Sequence, residues 1–139
     1  MNISIIGSGY AGLVTAVGFA GNGRKVICID IDESKVRQIN QGKSPIYEVD
    51  LDSLLSSCVN GKGNLKASSD YNEILNSDIT FICVNTPSNS DGDIDLHHVI
   101  DSATEIGRVL TRVSSYHVIV VKSTVVPGTT EAVIIPTLE

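Results

Sequence analysis

At 139 residues, 42% hydrophobic and 19% charged, the chain has the size and balance of one domain built around a single core. A net charge of −6 with no basic stretch excludes binding along a nucleic-acid backbone. No apolar run approaches the ~18 residues that cross a bilayer, and Met1-Asn-Ile-Ser-Ile-Ile-Gly7 lacks the charged and apolar regions of a signal peptide.

Taken in chain order, residues 3–6 predict a buried strand that runs into Gly7-Ser-Gly-Tyr-Ala-Gly12. Residues 11–20 follow as a helix of small apolar side chains, suited to close packing on a sheet and ended by Gly21-Asn-Gly23. Residues 26–29 read as a second strand closing on Asp30. Asp32 is the expected N-cap of a helix over 33–41 with Val36 and Ile39 facing inward. From Gly42 to Gly63 the pattern is irregular: a loop at Gly42-Lys-Ser-Pro45, then a short helix over 51–58 capped by Asp50 or Asp52. Residues 65–67 predict a short strand, 71–75 a short helix, and 79–84 a strand entering Thr86-Pro87. A polar loop over 88–95 precedes a helix over 96–112. A strand over 118–121 then leads to a turn at Pro127-Gly128, and a last helix from Thr129 is expected to break or end near Pro136.

Continuously apolar strands separated by helices predict a parallel sheet covered on both faces. With right-handed crossovers this is a three-layer α/β/α, doubly wound, Rossmann-type fold, here a single domain over 1–139.

The glycine loop carries the first chemical signal. Directly after a strand and opening a helix, Gly7 permits the tight turn, Gly9 lets a pyrophosphate approach the backbone, and Gly12 lets the helix pack closely. The helix N-terminus offers unpaired amides and a partial positive charge, so an acidic chain can still bind a nucleotide. Asp30 lies 18 residues beyond Gly12 at the end of the next strand, where its carboxylate can accept from ribose hydroxyls. Ile31-Asp32-Glu33 adds negative charge and no arginine, which predicts NAD over NADP.

Four stretches then carry a resemblance: Gly7-Ser-Gly-Tyr-Ala-Gly-Leu13, Ile39-Asn-Gln-Gly-Lys-Ser-Pro-Ile-Tyr-Glu48, Phe81-Ile-Cys-Val-Asn-Thr-Pro87 and Val121-Lys-Ser-Thr-Val-Val-Pro-Gly-Thr129. Over essentially its whole length the chain resembles the N-terminal domain of the UDP-glucose/GDP-mannose 6-dehydrogenase family. Residues 39–46 and 92–96 look closer to the GDP-mannose branch. The resemblance implies a cytoplasmic, NAD-dependent, two-step oxidation of a nucleotide sugar's C6 hydroxymethyl to a carboxylate, through a thio-adduct on a cysteine of a later domain. It implies that Gly7, Gly9, Tyr10, Gly12 and Leu13 line the pyrophosphate, and that Asp30 and Lys35 face the ribose. It also implies that Val84, Thr86 and Pro87 border the cofactor, that Ser123 and Thr124 sit near the nicotinamide, and that Thr124 helps order water or substrate. Where the family usually follows its Glu with Pro-Gly-Leu, this chain has Val49-Asp50-Leu51, so the rigid turn of that loop is expected to be lost.

On this reading the 139 residues are a truncated enzyme, with the central helix, the sugar-binding domain and the nucleophilic cysteine beyond Glu139. NAD binding without turnover is expected. The full-length protein would be a homodimer or larger, and the fragment a monomer. A stand-alone nucleotide-binding or regulatory module stays open as an alternative. So does a β-hydroxyacid-type NAD dehydrogenase, although that group would not be expected to carry Ser-Pro-Ile-Tyr-Glu48 or Lys-Ser-Thr-Val125.

Other features are set aside. Cys28 and Cys83 fall in apolar strand-like runs, and an odd total of three cysteines suits a reducing compartment better than a disulfide framework. Asp91, Asp93 and Asp95 alternate like a calcium loop but lack its glycine, with Ser102 where the twelfth-position glutamate belongs. His97, His98 and His117 lack zinc-ligand spacing and are expected at the surface or as caps, so no metal site is predicted.

Overall fold

A computed structural model describes residues 1–139. In chain order the strands are β1 (Asn2–Ile6), β2 (Lys25–Ile29), β3 (Leu65–Ser68), β4 (Ile79–Ile82) and β5 (Val118–Val121). The helices are α1 (Tyr10–Gly21), α2 (Glu33–Asn40), α3 (Leu51–Ser56), α4 (His97–Leu110) and α5 (Ile135–Leu138). Wider π turns run over Ser57–Gly61 and Thr130–Ile134, and a 3₁₀ segment over Tyr71–Asn76.

All five strands pair in parallel in the order β3-β2-β1-β4-β5, so the chain reverses direction across the sheet between β1 and β4. That reversal opens a crevice at the carboxyl ends of β1 and β4. Helices cover both faces because the strands are apolar on both. Ile3, Ile5, Val26 and Cys28 pack with Leu13, Ala16 and Val17 of α1 and Leu55 of α3. On the other face Ile6, Ile27, Ile29 and Ile82 meet Ile74, and Ile106 and Val109 of α4. Each buried aliphatic side chain contributes roughly 1.5–3 kcal/mol of transfer free energy, so a core almost without aromatics suffices.

The Rossmann-type fold and the order of elements agree with the sequence reading, with local differences. Asp32 does cap α2, accepting from the amides of Ser34 and Lys35 at 2.9 and 3.3 Å. Neither expected cap of α3 forms. Asp50 makes no capping bond and sits at φ 62°, while the Asp52 carboxylate accepts from Ser44 N at 2.6 Å. Asp50 thus occupies a left-handed conformation that glycine takes most readily, and aspartate is among the few other residues that tolerate it.

β4 ends at Ile82, short of the expected Val84, although Cys83 N still donates to Ile6 O at 2.8 Å. The last helical stretch runs through Pro136 to Leu138, changing from π to α at Ile135 instead of ending. His117 is neither a surface residue nor a cap. Its ring is half-buried with Nε2 2.8 Å from Thr80 Oγ1, and burial pulls its pKa below the usual value.

Candidate functional site

A cleft of about 380 Å³ lies at the carboxyl ends of β1, β2 and β4, bounded by the glycine loop, Asp30–Asp32, Tyr71, residues 83–85 and the first turns of α4. Gly7 turns at φ 92°, and a Cβ there would lie 2.8 Å from the Cys83 carbonyl oxygen. Beside Gly12 a Cβ would run into the Gly7 carbonyl, within 2.9 Å of its carbon. Gly9 is different: its nearest neighbour in that direction is Asn85 Oδ1 at 3.7 Å, so this side of the loop is open to a ligand.

α1 begins without a side-chain cap, and its first bond out of Gly9 is Leu13 N to Gly9 O at 2.9 Å. The amides of Gly9, Tyr10, Ala11 and Gly12 donate to no group of the chain. Four free donors at the positive end of a helix are an anion site. The Tyr10 side chain is exposed beside it, whereas Leu13 is wholly buried in the core. Leu13 therefore seats α1 on the sheet and offers the ligand neither side chain nor amide.

Asp30 faces the loop and is already engaged. Its Oδ2 accepts from Ser8 N at 2.8 Å and Ser8 Oγ at 2.5 Å, and Oδ1 accepts from Asp32 N at 2.9 Å. Burial opposes its ionisation, but these bonds and the Lys35 charge outweigh it and hold the carboxyl below the usual range. Lys35 lines the cleft and makes no ion pair. Ser8, absent from the sequence-predicted set, is fully buried and ties the glycine loop to β2.

Residues beyond β4 and β5 form the neighbouring rim. Thr86 Oγ1 donates to Thr124 O at 2.8 Å, and the buried Ser123 Oγ donates to Val84 O at 2.7 Å. The Ser123 hydroxyl is thus committed to joining the two strand ends. Thr124 presents an exposed hydroxyl that bonds to nothing, and Pro87 is exposed on the same rim. Val84 lines the cleft, as do Asn85, Tyr71, His98, Asp101, Ser102 and Glu105, which periodicity alone did not select. Burial pushes the Cys83 thiol up to about 11, so it stays protonated and unreactive at neutral pH. His97 lies outside the cleft, its Nδ1 2.7 Å from Asp95 Oδ1.

The sequence model of the UDP-glucose/GDP-mannose dehydrogenase family, NAD binding domain, matches residues 1–139. The chain belongs to this family. Its cofactor is NAD. It is 45% identical over 139 residues to UDP-glucose 6-dehydrogenase AglM of Haloferax volcanii and 44% identical over 142 residues to GDP-mannose 6-dehydrogenase of Pseudomonas aeruginosa. Both alignments cover 100% of this chain and 32% of the relative, so the chain spans about a third of their length. The two identities are nearly equal and do not separate the branches.

The solved ternary complex of the Pseudomonas aeruginosa GDP-mannose dehydrogenase superposes with a TM-score of 0.98 at 44% identity, over 100% of this chain and 32% of that one. Lactate dehydrogenase of Eimeria maxima and glycerol-3-phosphate dehydrogenase of Coxiella burnetii share the fold alone, at 17% and 16% identity. No helix is long and apolar enough to cross a membrane.

Proposed function

We propose that this chain is the cofactor domain of a nucleotide-sugar 6-dehydrogenase acting on UDP-glucose or GDP-mannose, and that it holds NAD across the carboxyl ends of its strands. The observation that carries the reading is the row of free amides from Gly9 to Gly12, set beside the Asp30 carboxylate and open on the Gly9 side. Those amides receive the pyrophosphate, with Gly7 and Leu13 shaping the turn and helix behind them. Asp30, which keeps lone pairs beyond its three internal bonds, and Lys35 take the adenosine ribose. Val84, Thr86 and Pro87 border the cofactor, and Ser123 fixes the strand ends from which Thr124 projects.

NAD supplies a hydride acceptor for the sugar carbon. The free Thr124 hydroxyl positions water or substrate at that edge. In a protein as long as the relatives, residues outside these 139 would supply the sugar site, the nucleophile and the homodimer contacts, while this domain alone stays monomeric. Three free, buried cysteines support a reducing, cytoplasmic setting.

Titration calorimetry with NAD, followed by absorbance at the NADH band after addition of UDP-glucose or GDP-mannose, tests this. Saturable NAD binding without NADH formation is expected. Absence of binding defeats the cofactor reading, and turnover by these residues alone defeats the division of labour. NADP in place of NAD should bind at least about 100-fold more weakly. Its 2′-phosphate would meet Asp30 and Asp32, and like-charge juxtaposition costs several kcal/mol. Equal affinity for the two would remove Asp30 as the ribose partner.

A further inference from the structure

The inner face of α4 is apolar at Val99, Ala103, Ile106 and Val109, and one hydroxyl interrupts it: Ser102, 4% exposed. Ser102 borders the cofactor cleft. Its Oγ accepts a long bond from Tyr71 Oη at 3.5 Å, but its own O–H donates to nothing in the chain. The one threonine of the same helix behaves differently, Thr104 bonding to Ile100 O at 2.8 Å in the usual backward manner. Serine is a poorer helix former than alanine, and a buried donor without an acceptor costs stability. A residue that costs stability while facing a ligand cleft points to a ligand that repays it.

The surroundings limit what that ligand group is. Asp101 and Glu105 stand on the same wall and Asp30 and Asp32 across the cleft, with Lys35 as the cation among them. A second phosphate is therefore disfavoured here. Ile31, 78% exposed, offers an apolar surface at the same end. An uncharged, planar group with hydrogen-bond acceptors in its ring matches all three features.

We infer that Ser102, backed by Tyr71, is the hydrogen-bond donor that recognises a ring nitrogen of the adenine of NAD. The inference rests on the NAD reading and deepens it. Ser102 fixes the far end of the dinucleotide and leaves the reacting end untouched. Tyr71 acts as a positioning residue, its phenol kept neutral by burial and by the neighbouring acids.

The test is calorimetric titration of the wild-type chain, Ser102→Ala and Tyr71→Phe with NAD and with ADP-ribose, which lacks the nicotinamide. Thermal melts without ligand run in parallel. Ser102→Ala is expected to weaken NAD and ADP-ribose by the same factor, about 5–10-fold, the loss of one hydrogen bond. Its unliganded melting temperature should not fall. Tyr71→Phe should weaken both ligands by a smaller, equal factor.

Unchanged NAD affinity in Ser102→Ala overturns the inference while leaving the cofactor reading intact. So does a loss confined to NAD with ADP-ribose unaffected, and so does a lowered melting temperature, which would mark a structural serine. If the wild-type chain binds neither ligand, the cofactor reading falls and the inference falls with it.

Discussion

Replacing Gly12 with alanine should be the most damaging single methyl that can be added to this chain. The new Cβ would run into the carbonyl group of Gly7 and lie 3.3 Å from the Cys83 Cβ. The first obstacle is backbone, held by the bond from Gly7 N to Ile29 O at 2.8 Å, so no side chain can rotate away. Relief requires α1 to lift from the sheet, which pulls Leu13, Ala16 and Val17 out of their contacts with Ile3, Ile5 and Cys28. Overpacking of this kind costs about 3 kcal/mol or more. For a domain of this size that lowers the melting temperature by roughly 10 °C. NAD binding should disappear with it, since the free amides of Gly9 to Gly12 lose their alignment.

Gly18→Ala is the control in the same helix. Nothing lies within 4 Å of its added Cβ, so the substitution should stabilise by about 0.5–1 kcal/mol through helix propensity. Thermal melts of the two variants decide the matter. A Gly12→Ala protein that melts like the wild type would show that the loop and helix are less tightly joined than their geometry requires.

That contrast also marks what the sequence could reveal. Gly12 and Gly18 are the same letter in the same helix. The first was legible because it closes a spaced pattern behind a strand, which has a known physical purpose. The sheet was legible for a similar reason: apolar runs such as 3–6, 26–29 and 118–121 leave no polar face for solvent. The Asp32 cap is a local interaction spanning three residues, and it appeared where expected.

The misses are all long-range or conformational. Nothing near Ser123 in sequence announces that its hydroxyl will be used on Val84, 39 residues away. His117 reads as a surface residue until Thr80 is placed beside it. Asp50 looked like a cap because aspartate favours caps, yet the same short side chain also tolerates a left-handed turn, and the turn won. Ser102 drew notice in the sequence only as the residue standing where a calcium loop would need glutamate. Its importance emerges only when Tyr71 and the cleft meet it in space.

Asp30 is the residue whose role the structure changes most. As a ribose partner alone, its replacement by alanine would weaken NAD by roughly 1.5–3 kcal/mol, the range for hydrogen bonds to a charged group. The carboxylate also holds the glycine loop, through Ser8 N and Ser8 Oγ, and Ser8 is fully buried. Asp30→Ala therefore strands two buried donors. Each costs about 1–3 kcal/mol when left unpaired, so a stability loss of about 3 kcal/mol should accompany the binding defect.

Asp30→Asn separates the two roles, since its amide oxygen keeps one acceptor for Ser8 while the charge is lost. It should restore part of the stability and leave NAD binding weak. The pH dependence has a definite sign. Asp30 has a folded pKa below its unfolded value of about 3.9, so its stabilising contribution is complete above that value. The contribution fades as pH drops through the lower folded pKa. Urea melts between pH 3 and 7 should show the wild type ahead of Asp30→Asn at neutral pH, with the gap narrowing on acidification. A gap that stays constant, or widens toward pH 3, would mean that the Ser8 clamp does not depend on the Asp30 charge.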